Sequence, residues 1–164
     1  MRLALVAILA VAIVAGCARE PDVQAFGTAF PEPARGLSFV AGGRCNVESV
    51  TGSPIDRGWR AEGEKPLKFS GWALEEAAKP ASAWVVVELA APGGRARYFA
   101  ATTFRSPRPD LAASLGDGPG VHGAAFELVA RADTLPRGRY AIRVLMRSGE
   151  GGLVCETNRV IELN

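Results

Sequence analysis

Histidine is nearly absent from this sequence, lysine is scarce, and no apolar run is long enough to span a bilayer. His122 is the only histidine, so a Ser-His-Asp triad would have to use it. No G-x-S-x-G elbow is present to expose a serine. Cys45, Cys155 and the single His122 fall short of four zinc ligands, and neither CxxC nor HExxH spacing is present; no D-x-D-x-D-G calcium loop occurs. No metal, no cofactor and no enzymatic activity are therefore expected. A formal net charge of +2 provides no strongly basic face, so nucleic acid is not an expected partner. Lys65, Lys68 and Lys79 are the only lysines among 19 basic residues, which makes arginine the habitual surface cation. The apolar run Leu3–Val14 holds roughly a dozen residues, against the roughly 20 that a spanning helix requires.

What is present starts at the first residue. Met1-Arg2 followed by Leu3–Val14 has the build of a secretory signal, a short positive start leading into an apolar stretch. Arg19, Glu20 and Pro21 prevent the run from extending. Val14-Ala15-Gly16-Cys17 resembles the lipobox of bacterial lipoproteins, with an aliphatic residue, two small residues and a cysteine in order. The resemblance implies a diacylglycerol group on the Cys17 thiol, cleavage after Gly16, and acylation of the new amine, palmitate being a usual acyl group. One acyl chain binds a bilayer marginally, whereas two or more hold it durably. Ala18 in place of Asp after the cysteine implies the periplasmic face of the outer membrane. Residues 1–16 are thus expected to be a signal peptide, 17–41 a lipidated N-terminus and proline-containing tether, and 42–164 the folded domain. A flexible tether of roughly 24 residues averages about 25–30 Å end to end. Phe26, Phe30, Leu37 and Phe39 suggest that part of it lies against the domain.

With Cys17 assigned to lipid, Cys45 and Cys155 are left as a pair. In an oxidising compartment they are expected to form a disulfide, the alternative being two free thiols. After Gly42-Gly43 the chain becomes a series of short runs separated by turn signals. Arg44–Val50, Leu67–Leu74, Trp84–Leu89, Arg95–Phe104, Ala124–Ala130, Gly138–Arg147 and Leu153–Leu163 read as strands. Gly138–Arg147 alternates most regularly, with Tyr140, Ile142, Val144 and Met146 on one face. Trp84–Leu89 is almost wholly apolar, as a central strand packed on both faces would be. Pro109-Asp110-Leu111 through Leu115, stopped at Gly116, predicts one short helix crossing between sheets.

Ser70-Gly71-Trp72-Ala73-Leu74, Arg108-Pro109-Asp110-Leu111 and Gly138-Arg139-Tyr140 with a terminal strand together resemble an immunoglobulin-like sandwich of exported bacterial proteins. In that group a "GWA" strand, an "RPD" helix start and a late "G-x-Y" strand recur, sometimes attached to glycosyltransferases. The resemblance implies an all-β sandwich of about seven strands over residues 44–163, and implies no activity. Glu75-Glu76 open an insertion where that group often turns cleanly.

Among candidate sites, Gly118-Pro-Gly-Val-His-Gly123 matches G-x-G-x-x-G in letters only. It follows a helix and leads into a strand, the reverse of a phosphate-binding turn. Glu75 and Glu76 are adjacent and read as a solvated turn, not a glycosidase pair. Arg139, Arg143 and Arg147 share one strand face, with Arg95 and Arg97 on a possible neighbour, and form the best binding stripe. Trp59 is expected to offer an exposed ring. Arg108 is a candidate anion contact, its competing role being an ion pair beside a helix start. These residues point to a non-catalytic binding or structural module whose partner is an envelope protein or glycan. A hydrolase of envelope polymers and a chaperone-like lipoprotein with a hydrophobic cleft are the competing classes.

Overall fold

The computed structural model describes residues 21–55, 58–61 and 66–164, so the leader and Cys17 lie outside the described residues. The strands are β1 (Val23–Ala25), β2 (Phe39–Ala41), β3 (Arg44–Val50), β4 (Ser53–Pro54), β5 (Trp59–Ala61) and β6 (Leu67–Leu74), β6 alternating apolar and polar side chains. They continue through β7 (Val85–Ala90), which is buried throughout, β8 (Arg97–Thr102), β9 (Arg105–Ser106), β10 (Ala125–Arg131), β11 (Gly138–Ser148) and β12 (Gly151–Leu163). One sheet is ordered β1-β10-β6-β3-β4 with β9 beside β10, and the other β2-β12-β11-β7-β8 with β5 beside β12. The protein is all-β with a single short α-helix among the described residues. The seven runs legible in the sequence became β3, β6, β7, β8, β10, β11 and β12. The other five are strands of two or three residues, and they bring the total to twelve where about seven were expected.

The two sheets face each other across one core. Tyr140, Ile142, Val144 and Met146 of β11 point inward to meet Phe69, Phe126 and Leu128 of the opposite sheet. Each such side chain, fully buried, contributes about 1.5–3 kcal/mol. Cys45 on β3 is bonded to Cys155 on β12, with Cα atoms 6.1 Å apart and a sequence separation of 110. The bridge therefore joins the sheets directly. A register shift between Val47 and Ser49 of β3 lies against Gly71 of β6. A Cβ at Gly71 would sit 2.2 Å from the Asn46 carbonyl oxygen, so only glycine admits this bulge.

Residues 21–41 form a docked strap, which corrects the reading of this segment as a tether. Val23 to Ala25 pair in parallel with Val129 to Arg131 of β10. Gly27 and Phe99 of β8 exchange two backbone hydrogen bonds of 3.0 and 2.8 Å. The chain then crosses the outer face of the second sheet. Phe30 packs on Phe39 and Phe99 at centroid distances of 5.3 and 4.5 Å, and Ala34 is fully buried against Trp84, Val86, Phe99 and Leu145. Finally β2 pairs with Gly152 to Val154 of β12, laying the Phe39 ring over Gly152. The strap thus covers backbone at both edges of the sheet, where unpaired strands invite association. Pro33 lies within a 3-10 turn at Glu32–Ala34, and the prolines do not prevent apolar docking.

The helix also differs from expectation. A 3-10 turn at Pro109–Leu111 continues into α1 (Ala112–Leu115), and Gly116 stops it at φ 89°. The crossing between sheets is made earlier, at Thr103-Phe104 between β8 and β9.

Candidate functional site

Strand register divides the outer face of the second sheet into rows running across β7, β11 and β12. Val86, Leu145 and Val154 form the first row, and the strap covers it. Glu88, Arg143 and Glu156 form the second, and Ala90, Ala141 and Val160 the third. Arg139, Glu162 and Arg60 form the fourth, Arg60 being contributed by β5. The third row is a floor of short side chains between two rows of long charged ones. It makes a trough from the Pro92–Gly94 turn to Gly58, four strands wide and so about 14 Å long. Its two ends are clefts of about 470 and 550 Å³ that share Arg139 and Val160.

The second row is neutralised with the help of Arg97 from β8. Glu88 is fully buried, and Arg97 donates to both of its oxygens, Nη2 to Oε2 at 2.9 Å. Arg143 Nη1 reaches Glu88 Oε1 at 3.5 Å. Arg143 Nε lies 2.8 Å from Glu156 Oε1 as an ion contact, with its N–H aimed away from hydrogen-bond geometry. Hydrogen bonding to Glu88 holds the Arg97 guanidinium above its ordinary pKa. The same guanidinium lies 5.9 and 5.3 Å from the ring centroids of Phe30 and Phe99, a cation–π arrangement. The strap therefore packs against the end of the ion ladder.

The predicted residues fall into different roles. Arg139, Arg143 and Arg147 share the outer face, yet Arg143 is engaged with two carboxylates and Arg147 Nε donates to the Gly149 carbonyl at 3.0 Å. Arg147 is also separated from the trough by the strap-covered row. Arg139 is exposed and has no ion pair among the described residues. In the fourth row Arg60 meets Glu162 at 3.1 Å instead. Trp59 does not present a free ring. β5 pairs in parallel with β12 in the register Trp59↔Ile161, which turns Trp59 toward the core, where it is half-buried.

Arg108 lies away from this face, in the turn before α1. It donates to Asp110 at 2.8 and 2.7 Å and to Glu48 at 2.9 and 3.0 Å, tying the Pro109 turn to β3. The Asp110 hydrogen bonds raise the Arg108 pKa, and the Arg108 hydrogen bond lowers that of Asp110. A guanidinium so occupied is a clamp more than an open anion contact.

Two residues went unnoticed in the sequence. Glu88 had a visible signal, an acid inside an otherwise apolar strand. Arg105 had none. Its Nε donates to the Gly123 carbonyl at 2.8 Å and its Nη2 to the Ala73 carbonyl at 2.6 Å, while Nη1 is buried without a partner. Burial without a neighbouring carboxylate pushes this guanidinium down to about 10.

The glycine motif has a packing role. Cβ atoms at Gly118 and Gly120 would lie 2.3 Å from the Ala77 carbonyl oxygen and 2.5 Å from that of Glu76. His122 is exposed, 3.8 Å from Asp117. No family model matches the chain, and neither a curated protein nor a solved structure matches it.

Proposed function

We propose that this chain is an exported bacterial lipoprotein, anchored through Cys17 at the periplasmic face of the outer membrane. Its domain acts as a non-catalytic binding module for an envelope protein or glycan. The observation that carries this reading is the Cys45–Cys155 bridge. A bridge persists in an oxidising compartment outside the cytosol, and it leaves Cys17, behind a signal-like leader, as the remaining cysteine of three. Because the strap begins to dock at Val23, few residues separate lipid from domain. Cys17 to Val23 reaches at most about 22 Å at full extension. The domain is accordingly held close to the bilayer, not swung on a long leash.

The sandwich reads as immunoglobulin-like. The long strands divide three and four, β10-β6-β3 against β12-β11-β7-β8. Tyr140, near the start of β11, donates its hydroxyl to the Pro136 carbonyl at 2.6 Å, the hydrogen bond of a tyrosine corner. The binding face is the trough around Arg139, the part of the outer sheet that the strap leaves uncovered.

Cys17→Ser tests the anchor. Cells fed labelled palmitate should label the wild-type protein and retain it in the outer-membrane fraction, and the variant should lose both. Equal labelling and equal fractionation of the two would refute the proposal. A photo-crosslinking residue at Ala141 should capture an envelope component, and the same residue at Thr103 should not.

A further inference from the structure

We infer that the trough is a binding site for a small ligand carrying a single carboxylate on an aliphatic body. The inference rests on the reading of this face as the binding face and adds the chemistry of what occupies it. The floor, Ala90, Ala141 and Val160, consists of methyl groups, with the Pro92–Gly94 turn as an apolar end wall. A cleft of about 470 Å³ with this lining is within the range of small-molecule sites, where apolar walls supply contact and a few polar groups fix orientation. The backbone beneath the floor is already paired on both sides of β11, so an extended peptide would find no strand edge to join.

Charge selects the ligand's head group. Around the trough, Arg143 faces Glu88 and Glu156, Arg97 faces Glu88, and Arg60 faces Glu162. Of the arginines that line the two clefts, Arg139 is the one without an ion pair among the described residues, and it borders both. One guanidinium beside a methyl floor complements one anion on an apolar stem. A guanidinium suits a carboxylate because its parallel N–H groups meet both oxygens. A dianion would face the carboxylates of Glu156 and Glu162, and a cation would face Arg139.

The test uses the acylated protein in lipid nanodiscs with labelled alanine and valine methyl groups. Hexanoate, hexanamide and hexylammonium are titrated while the Ala141 and Val160 methyl resonances are followed. Hexanoate should shift both resonances saturably and bind at least about tenfold more tightly than hexanamide, as loss of a charge-assisted hydrogen bond dictates. Hexylammonium should bind most weakly. Arg139→Gln should remove the preference for hexanoate over hexanamide without moving the melting temperature. Ala141→Leu, which fills the trough from an exposed position, should abolish binding of both. Equal binding of hexanoate and hexanamide, a preference that survives Arg139→Gln, or no shift at either methyl would overturn the inference. Those results would leave membrane retention through Cys17 and crosslinking at Ala141 unaffected, so failure of the ligand class and failure of the envelope-module reading are separable.

Discussion

Opening the Cys45–Cys155 bridge should cost this protein a large share of its stability. The bridge closes a loop of 110 residues between β3 and β12, which takes in nearly all of the shared core. Restricting an unfolded chain over such a loop is worth about 5 kcal/mol at 25 °C in the chain-entropy model. For a domain of this size, each kcal/mol moves the melting temperature by roughly 2–4 °C, which gives a fall of about 10–20 °C. Calorimetry of oxidised and reduced wild-type protein reads this directly, with both thiols blocked after reduction. A Cys45→Ala/Cys155→Ala variant serves as a second measurement free of reductant, although Ala at buried position 155 adds a small void. Agreement of the two within a few degrees would assign the loss to the crosslink. Oxidised and reduced forms that melt within about 2 °C of each other would refute the argument that the bridge restrains the unfolded chain.

Three further outcomes follow from particular contacts. Phe30→Ala removes a ring packed between Phe39 and Phe99. It should cost about 2 kcal/mol, less than a fully buried ring, and should raise hydrogen exchange at Gly27 and across β2; unchanged exchange would mean that the strap is held some other way. Gly71→Ala drives a Cβ against the Asn46 carbonyl and should destabilise by about 3 kcal/mol, as overpacking does, measured as a urea midpoint; a midpoint equal to wild type would show that the β3 bulge relaxes. Hydrogen bonding to Arg108 holds Asp110 below the ordinary carboxylate range, so the unfolded chain takes up this proton more readily than the folded one. The stability this contact supplies is complete above the unfolded pKa of about 3.9 and is lost as pH falls through the folded value. Midpoints of wild type and Asp110→Asn should therefore stay apart above about pH 5 and converge toward about pH 2; parallel curves would sink the pairing.

The long strands were legible because their signals are local. Tyr140, Ile142, Val144 and Met146 alternate with Arg139, Ala141, Arg143, Leu145 and Arg147, and the three arginines in that period mark β11 and its inward face. The cysteine pairing followed by elimination once Cys17 was set aside. The aromatic residues of the strap signalled that part of it docks, but its path was not legible, because Phe30 and Leu37 pack on a band of Val86 and Leu145 that exists only after the sheet has formed. Prolines in that segment mimic a linker in sequence while the aromatic residues decide its position. Trp59 failed for a related reason. The side of β5 on which it lies is fixed by register against Ile161, and a three-residue strand carries too little pattern to reveal that. The arginine stripe was placed correctly on one face, but its chemistry depended on partners far away in sequence. Glu88 is 55 residues from Arg143, and it makes that arginine part of a neutral ladder while Arg139 stands without an ion-pair partner among the described residues.

The most direct test of the central claim is the intact mass of the protein extracted from native membranes. Export with acylation predicts a chain beginning at residue 17, carrying diacylglycerol and an amide-linked acyl group, and lighter by two hydrogens for the closed bridge. A mass that retains residues 1–16, with all three thiols free, would contradict it.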